Sequence, residues 1–600
     1  MNFKLRLLAM LLLVMMVFTS CSIDSLLKYI PGWGGNSTTA TTPTASTEPT
    51  TPTDSTSSTE PEGPETPSNL IDIASFTRKA NSMQKSELLA MYTLTQEEID
   101  ATLDLLDQMV AGALPDPEGD PNVAVMTMEE WDVLYQQFED AFYHIAQQMT
   151  VATIIYYCNM TDEAATERHL NTQDMFYDVQ DKYNQSLREL YLNSPMKDEL
   201  FEGWTEQEIQ EMLEYDPTVM EVKKVIDDLE VQFDNLDDND YGFSDASVEL
   251  YKQLIVERRK IAAFAGYDNY YDYAAKNVYG REYSAEDLAV FREYLVNYIV
   301  PEFEGIYDKF NAWRDLSSKR QETFINFVNE AFDSKNSSKN YLLLYLNSIE
   351  GSMGEYMRSV FTDKNCIFSN NTNSHPTAFC TYMYEDEKPF CLFGINGQSA
   401  NTVVHEIGHY YADMANSDLR SYDLLETHSQ GNEFLFIKFC EDEMNAAVYD
   451  CVRAYNLLNA CYVMIVATLV DEFEQRVYAL SDEEIMAMTG DDFDAIMADV
   501  CEPYGGVDWV TDNISDPYDY WRQVAISNPV YYISYAVSAA AAVEIFALAE
   551  EDIAAAHEAY KTLVEGVTEE DGFVIALGKA GLYTPFEEDA FKLIAKTLKK

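Results

Sequence analysis

His405-Glu406-Ile407-Gly408-His409 constrains this chain more than any other stretch, because its chemistry calls for an α-helix. Positions i and i+4 of a helix share one face, so both imidazoles can reach the same metal ion. Glu406 stands one residue after the first histidine, where its carboxylate can take a proton from water at the metal. The chain has 7 histidines in 600 residues, and His405, His409 and His428 fall together here. The flanks agree with a metal site. Lys388 to Gly397 reads as a short apolar strand closed by a turn at Asn396-Gly397, and Ser399 or Asn401 can cap the helix that follows. Val403, Val404 and Ile407 supply its apolar side. Gly408, inside that helix, costs about 1 kcal/mol relative to alanine, which suggests close approach of a backbone or substrate, or tight packing.

A hydrolytic zinc site usually takes three protein ligands and leaves the fourth position to water. Candidates for the third lie in Glu426-Thr-His-Ser-Gln-Gly-Asn-Glu433, which opens a second helical segment continuing through Phe434, Leu435, Phe436 and Ile437. Glu426 and Glu433 stand about 10 Å apart along a helix, so they cannot both ligate one ion. If Glu426 ligates, Glu433 two turns later can orient a ligating imidazole. His428 points to a different side of that helix from Glu426 and is expected to support a ligand or be structural rather than to ligate.

The pairing of HExGH with a downstream ExxSxxxE resembles the zinc oligopeptidases of the thimet oligopeptidase and oligoendopeptidase F group. It rests on His405, Glu406, Gly408 and His409, then Glu426, Ser429 and Glu433. Similar blocks are Arg259-Lys260 to Ala262 with Gly266 to Tyr273, Lys388 to His409, and Asn528-Pro-Val-Tyr-Tyr-Ile-Ser-Tyr-Ala-Val-Ser538. The resemblance implies one zinc ion held by His405, His409 and Glu426, with Glu433 the rival ligand and Glu406 the general base. It implies Tyr535 as the oxyanion donor, with Tyr531 or Tyr532 beside it, and a cleft that admits short peptides. A phenol donates without carrying charge, and Tyr531 and Tyr535 are expected to share one helical face. Three departures stand out. Ala412 replaces a histidine common in the relatives, the link from His409 to Glu426 is shorter, and Trp521-Arg522-Gln523-Val524 lacks their histidine.

The expected fold is mainly α, a two-lobed helical oligopeptidase (neurolysin-like) fold with a small sheet beside the active-site helix. An N-terminal helical lobe is assigned to 71–355 and a catalytic lobe to 356–600. Leucine, alanine, glutamate and methionine recur at helical spacing through both, as over Asp100 to Val110, Ala285 to Ile299 and Cys461 to Leu480. The 47% apolar content is enough for a large core. Val530 to Ala549 is apolar throughout about twenty residues, but it carries Glu544 and the tyrosines and reads as a buried helix.

The N-terminus reads separately. Lys4 and Arg6 precede an apolar run from Leu7 to Phe18, then Thr19-Ser20-Cys21, a secretory signal over 1–20 ending in a lipobox-like sequence. Cys21 is then the lipidated first residue, and 21–70, rich in Ser, Thr and Pro, a disordered tether. This order expects a monomeric peptidase on the outer face of a bacterial cell membrane, touching the membrane through its lipid anchor only. A formal charge of −64 argues against nucleic acid, whose phosphates would be repelled. Asp234 to Asp240 only loosely suggests a calcium loop and reads as solvated. Of 9 cysteines none forms a CxxC pair, which argues against a second zinc, while export permits disulfides among Cys366, Cys380 and Cys391. The competing reading is a surface peptide- or solute-binding lipoprotein with a vestigial metal site, in which Glu406 has no task.

Overall fold

The computed structural model describes residues 69–600 apart from 117, 205–208, 211, 214–215, 237–244, 330–336, 418–420 and 569–570. The expected signal sequence, Cys21, nearly all of the tether and most of the acidic stretch after Asp234 lie outside the described residues.

The first half opens with three long helices, α1 (Gln96–Ala113), α2 (Met128–Tyr157) and α3 (Glu163–Asn193). Each starts where a side chain satisfies the free N–H groups of the first turn. Thr95 with Glu98 and Thr127 with Glu130 form reciprocal capping boxes, and Asp162 caps α3. Their apolar faces meet in one core around Leu106, Trp131, Phe138, Phe142 and Phe176. The Trp131 indole is buried there with its N–H on the Met109 carbonyl at 3.1 Å.

A larger core gathers Ile71, Phe76 and side chains from Leu229 through α4 (Asp245–Phe264) to Leu598. Of the expected N-terminal lobe, Ile71, Phe76, Leu229, Phe233 and described apolar residues between Tyr251 and Met353 pack into this second core. Phe291 meets Phe591 edge-on at 5.2 Å, and Tyr345 packs on Phe436 at 5.5 Å.

The small sheet has three strands, β1 (Cys366–Phe368), β2 (Ala378–Met383) and β3 (Lys388–Phe393), in the order β1-β3-β2. β1 runs parallel to β3, opposite Cys391 to Phe393 only, and β2 runs antiparallel along all of β3. Pro389 is tolerated in this central strand because β1 does not reach it, so its missing N–H breaks no ladder bond. Cys380 and Cys391 are paired across β2 and β3 with their sulfurs 3.7 Å apart. The eight described cysteines are free thiols.

Behind the sheet come α5 (Ala400–Ala415), α6 (Tyr422–Glu443) and α7 (Ala446–Tyr478), then α8 (Ile533–Glu551) and α9 (Ile553–Glu565). α7 and α8 are long and apolar enough to cross a membrane, yet 100% and 89% of their most apolar windows are buried inside the protein. They are core helices. α8 begins at Ile533, later than the expected apolar helix, because Val530 sits at φ 63° in the left-handed region. Tyr531 therefore precedes the helix, and the helical face it was expected to share with Tyr535 does not exist.

Candidate metal centre

α5 rests on the sheet through Val403, Val404 and Ile407, all fully buried, and Ser399 caps it by accepting the Thr402 N–H at 3.1 Å. α6, capped by Ser421, crosses against it. The crossing is close because Gly408 has no side chain. A Cβ there would stand 2.6 Å from the Ser429 Cα and 2.7 Å from the His428 carbonyl oxygen. Both obstacles are backbone, so neither can swing aside. Asn432 locks the pair, donating to the Val404 carbonyl at 2.7 Å and accepting from the Tyr345 hydroxyl at 2.7 Å. Gly408→Ala is expected to push the helices apart, cost about 1–3 kcal/mol by overpacking and weaken metal binding. Thermal unfolding with a metal titration checks this, and an unchanged Tm would contradict it.

That contact brings His405, His409 and Glu426 together, with their ligand atoms all within 4.8 Å of one another. The Nε2 atoms of His405 and His409 lie 3.4 and 3.6 Å from Glu426 Oε2, all three side chains being buried. Neither Nε2 has a hydrogen-bond partner among the described residues. Two imidazole nitrogens and a carboxylate oxygen, converging in a buried pocket, fit a divalent metal. Glu433 does not join them. It accepts the His405 Nδ1 proton at 2.7 Å, which turns Nε2 of that ring toward Glu426. Ser429 donates to Glu426 Oε2 at 2.9 Å. His428 faces away, with Nε2 on the Leu563 carbonyl at 2.9 Å. Glu406 is fully buried, close enough to Cys380 and Cys391 for its charge to raise both thiols.

The electrostatics suit a ligand set. Burial pushes His409 down to about 3, so its ring is neutral with a free lone pair. Burial acts the same way on His405, but Glu426 and Glu433 outweigh it and hold that ring well above its ordinary value. Burial would raise Glu426, yet His409, His405 and the Tyr531 phenol more than offset it, and it stays below the usual carboxylate range. His405 therefore carries a proton that an incoming metal must displace. Affinity should rise with pH up to the His405 value and fall toward acid, with about one proton released per ion bound near neutrality. A zinc titration in weakly buffered solution reads this directly, and uptake without proton release would contradict it.

The tyrosines reach the site by a turn. Tyr531 donates its hydroxyl to Glu426 Oε1 and is hydrogen-bonded in turn to Tyr535. Burial pushes the Tyr531 phenol well up, so it remains a donor, and its single proton is used on Glu426. Tyr532 packs its ring edge-on to both, at 6.4 and 5.3 Å.

The turn is held by residues that the sequence did not announce. Val530 is β-branched, and a left-handed backbone there costs on the order of 1–3 kcal/mol. Glu474 accepts the Val530 N–H at 2.7 Å, and Tyr279 donates to the Pro529 carbonyl at 2.7 Å. Arg281 donates to the Tyr531 carbonyl at 3.2 Å and to Ser534 Oγ at 2.9 Å, with fully buried Asp423 at 3.6 Å as its counter-charge. A lone arginine and a lone glutamate, each far along the chain from the tyrosines, carry no motif that could have flagged them.

No protein-family model and no curated protein matches the chain. Solved structures do. A candidate oligoendopeptidase F superposes with a TM-score of 0.61 at 16% identity, over 88% of this chain and 98% of its own. PZ peptidase A with an inhibitor gives a TM-score of 0.61 at 16% identity, over 88% and 98%. A candidate oligoendopeptidase F from Bacillus anthracis str. Ames gives 0.59 at 16%, over 87% and 97%. The chain has the oligoendopeptidase F fold, mainly helical with a small sheet against the helix that bears both histidines.

Proposed function

We propose that this protein is a zinc-dependent endopeptidase of short peptides, tethered outside the cell by a lipid on Cys21. One observation carries the catalytic part: two imidazole Nε2 atoms and the Glu426 carboxylate converge in a buried pocket, with Glu406 on the same helix between the histidines. The peptidase likeness of the solved structures supports the same reading.

His405, His409 and Glu426 would hold the ion, and Glu433 would fix the His405 ring. Zinc in such a site supplies Lewis acidity for a peptide carbonyl and makes water easier to deprotonate. Glu406 takes the proton of the attacking water and returns it to the leaving amine. The tetrahedral oxyanion needs a neutral donor as well. Tyr531 touches the ligand set, its hydroxyl resting on Glu426. Moving that hydroxyl from Glu426 to the oxyanion makes Tyr531 the donor, with Tyr535 behind it and Tyr532 packing both rings. The strained Val530 turn, pinned by Glu474 and Arg281, fixes where that phenol points.

Incubating the full chain with a library of short unstructured peptides tests the activity. Cleavage that a chelator abolishes and added zinc restores is the expected result, and chelator-resistant cleavage or none would refute it. Incorporation of labelled palmitate, lost in Cys21→Ala, tests the anchor; equal labelling of both chains would remove it.

A further inference from the structure

We propose that Cys380 and Cys391 are a modification site: in the presence of a small disulfide they join in a cross-strand bond that braces the sheet under α5. The inference goes beyond the peptidase reading and stands without it.

The ladder sets the geometry. Cys380 of β2 and Cys391 of β3 are direct partners in the antiparallel register. Two backbone bonds show which kind of pair they form. The Gly394 N–H reaches across to the Thr377 carbonyl at 2.8 Å, whereas the Cys391 N–H turns the other way, to the Asn365 carbonyl at 3.0 Å. Bonded and non-bonded pairs alternate along an antiparallel ladder, which makes Cys380 and Cys391 a non-hydrogen-bonded pair. Such pairs stand about 4.5 Å apart at Cα, inside the roughly 4.4–6.8 Å that a disulfide spans. The sulfurs are already 3.7 Å apart, on the side of the sheet that carries α5, and the Cys391 thiol also lies 3.9 Å from the Glu406 carbonyl oxygen. Rotation about the side-chain bonds, rather than movement of the strands, brings the sulfurs to about 2.05 Å.

Access differs between the thiols. Cys391 is fully buried, and Cys380, on the edge strand, is half-buried. Cys366 pairs with Cys391 from the other side, but it too is fully buried, and its thiol donates to the Asn81 carbonyl at 3.7 Å. The reaction therefore starts at Cys380. Its thiolate attacks a small disulfide RS–SR, forming a mixed disulfide and releasing one thiol, and Cys391 then attacks the Cys380 sulfur and expels the second. The reagent's S–S bond is reduced to two RSH, which take up both cysteine protons, and one new S–S bond holds the two oxidised cysteines. Burial raises the Cys380 thiol to about 11, so exchange is slow near neutrality and about tenfold faster with each pH unit below that value. The product ties β2 to β3 beneath the turn of α5 that carries Glu406, and it removes freedom chiefly from the unfolded chain.

The test incubates the full chain with oxidised glutathione at mildly alkaline pH, then denatures, alkylates and maps the peptides by mass spectrometry. A Cys380–Cys391 cross-link, with Cys366 alkylated, is the expected product. Thermal unfolding of the same samples should place the oxidised chain about 2–4 °C above the reduced one. Cys380→Ser changes only the half-buried partner, and its Tm should be the same with or without the oxidant. Two alkylated thiols after oxidation, glutathione left on Cys380, or a link from Cys391 to Cys366 would each overturn the proposal. A cross-linked chain with an unchanged Tm would overturn the bracing. None of these readings depends on peptide cleavage, so loss of the peptidase reading would leave them intact.

Discussion

Replacing Glu406 with glutamine is expected to leave metal uptake intact and to lower peptide hydrolysis about a thousandfold or more. The isosteric amide keeps the volume of a fully buried side chain, so α5 and the sheet beneath it should stay packed. What the amide lacks is basicity. It cannot take the proton of the attacking water, nor hand one to the leaving amine. Metal content and kcat on one peptide should therefore part company, the first unchanged and the second near background. Activity within about tenfold of the parent would remove Glu406 as the base.

The second large effect separates the two glutamates of α6. Glu426→Ala removes a ligand oxygen and strands the buried Tyr531 hydroxyl that donates to it, while Ser429 keeps the backbone carbonyl of residue 426 as its acceptor. Each unpaired buried donor costs about 1–3 kcal/mol, so this variant should lose stability together with its metal. Glu433→Ala leaves all three ligands in place and removes only the acceptor of the His405 Nδ1 proton. Losing such an outer partner typically weakens metal affinity about 10–100-fold. The expected order is thus near-complete metal loss for Glu426→Ala and weakened but stoichiometric binding for Glu433→Ala. Competitive titration with a zinc-binding dye measures both, and the reverse order would make Glu433 the ligand.

Local pattern explains which parts of this account could be read from the chain. The histidine spacing, Glu406, the Ser399 cap and the apolar strand before them are short-range signals, and the elements they predict are present. Gly408 was legible as a close approach, though only the fold names Ser429 and His428 as the neighbours. Glu426 and Glu433 were not separable by spacing, because the difference lies in how α6 crosses α5. The tyrosine segment misled for a physical reason. Its composition reads as continuous helix, whereas Glu474, Tyr279 and Arg281, all remote in sequence, hold it in a turn. Long-range polar contacts of that kind leave no periodicity.

The most direct measurement of the central claim is X-ray absorption at the zinc edge of the zinc-loaded full chain. Two imidazole nitrogens at about 2.0–2.1 Å and carboxylate oxygen at about 2.0–2.2 Å are predicted, with the imidazole scattering halved in His409→Ala. A spectrum without imidazole scattering, or one unchanged by that substitution, would contradict the account.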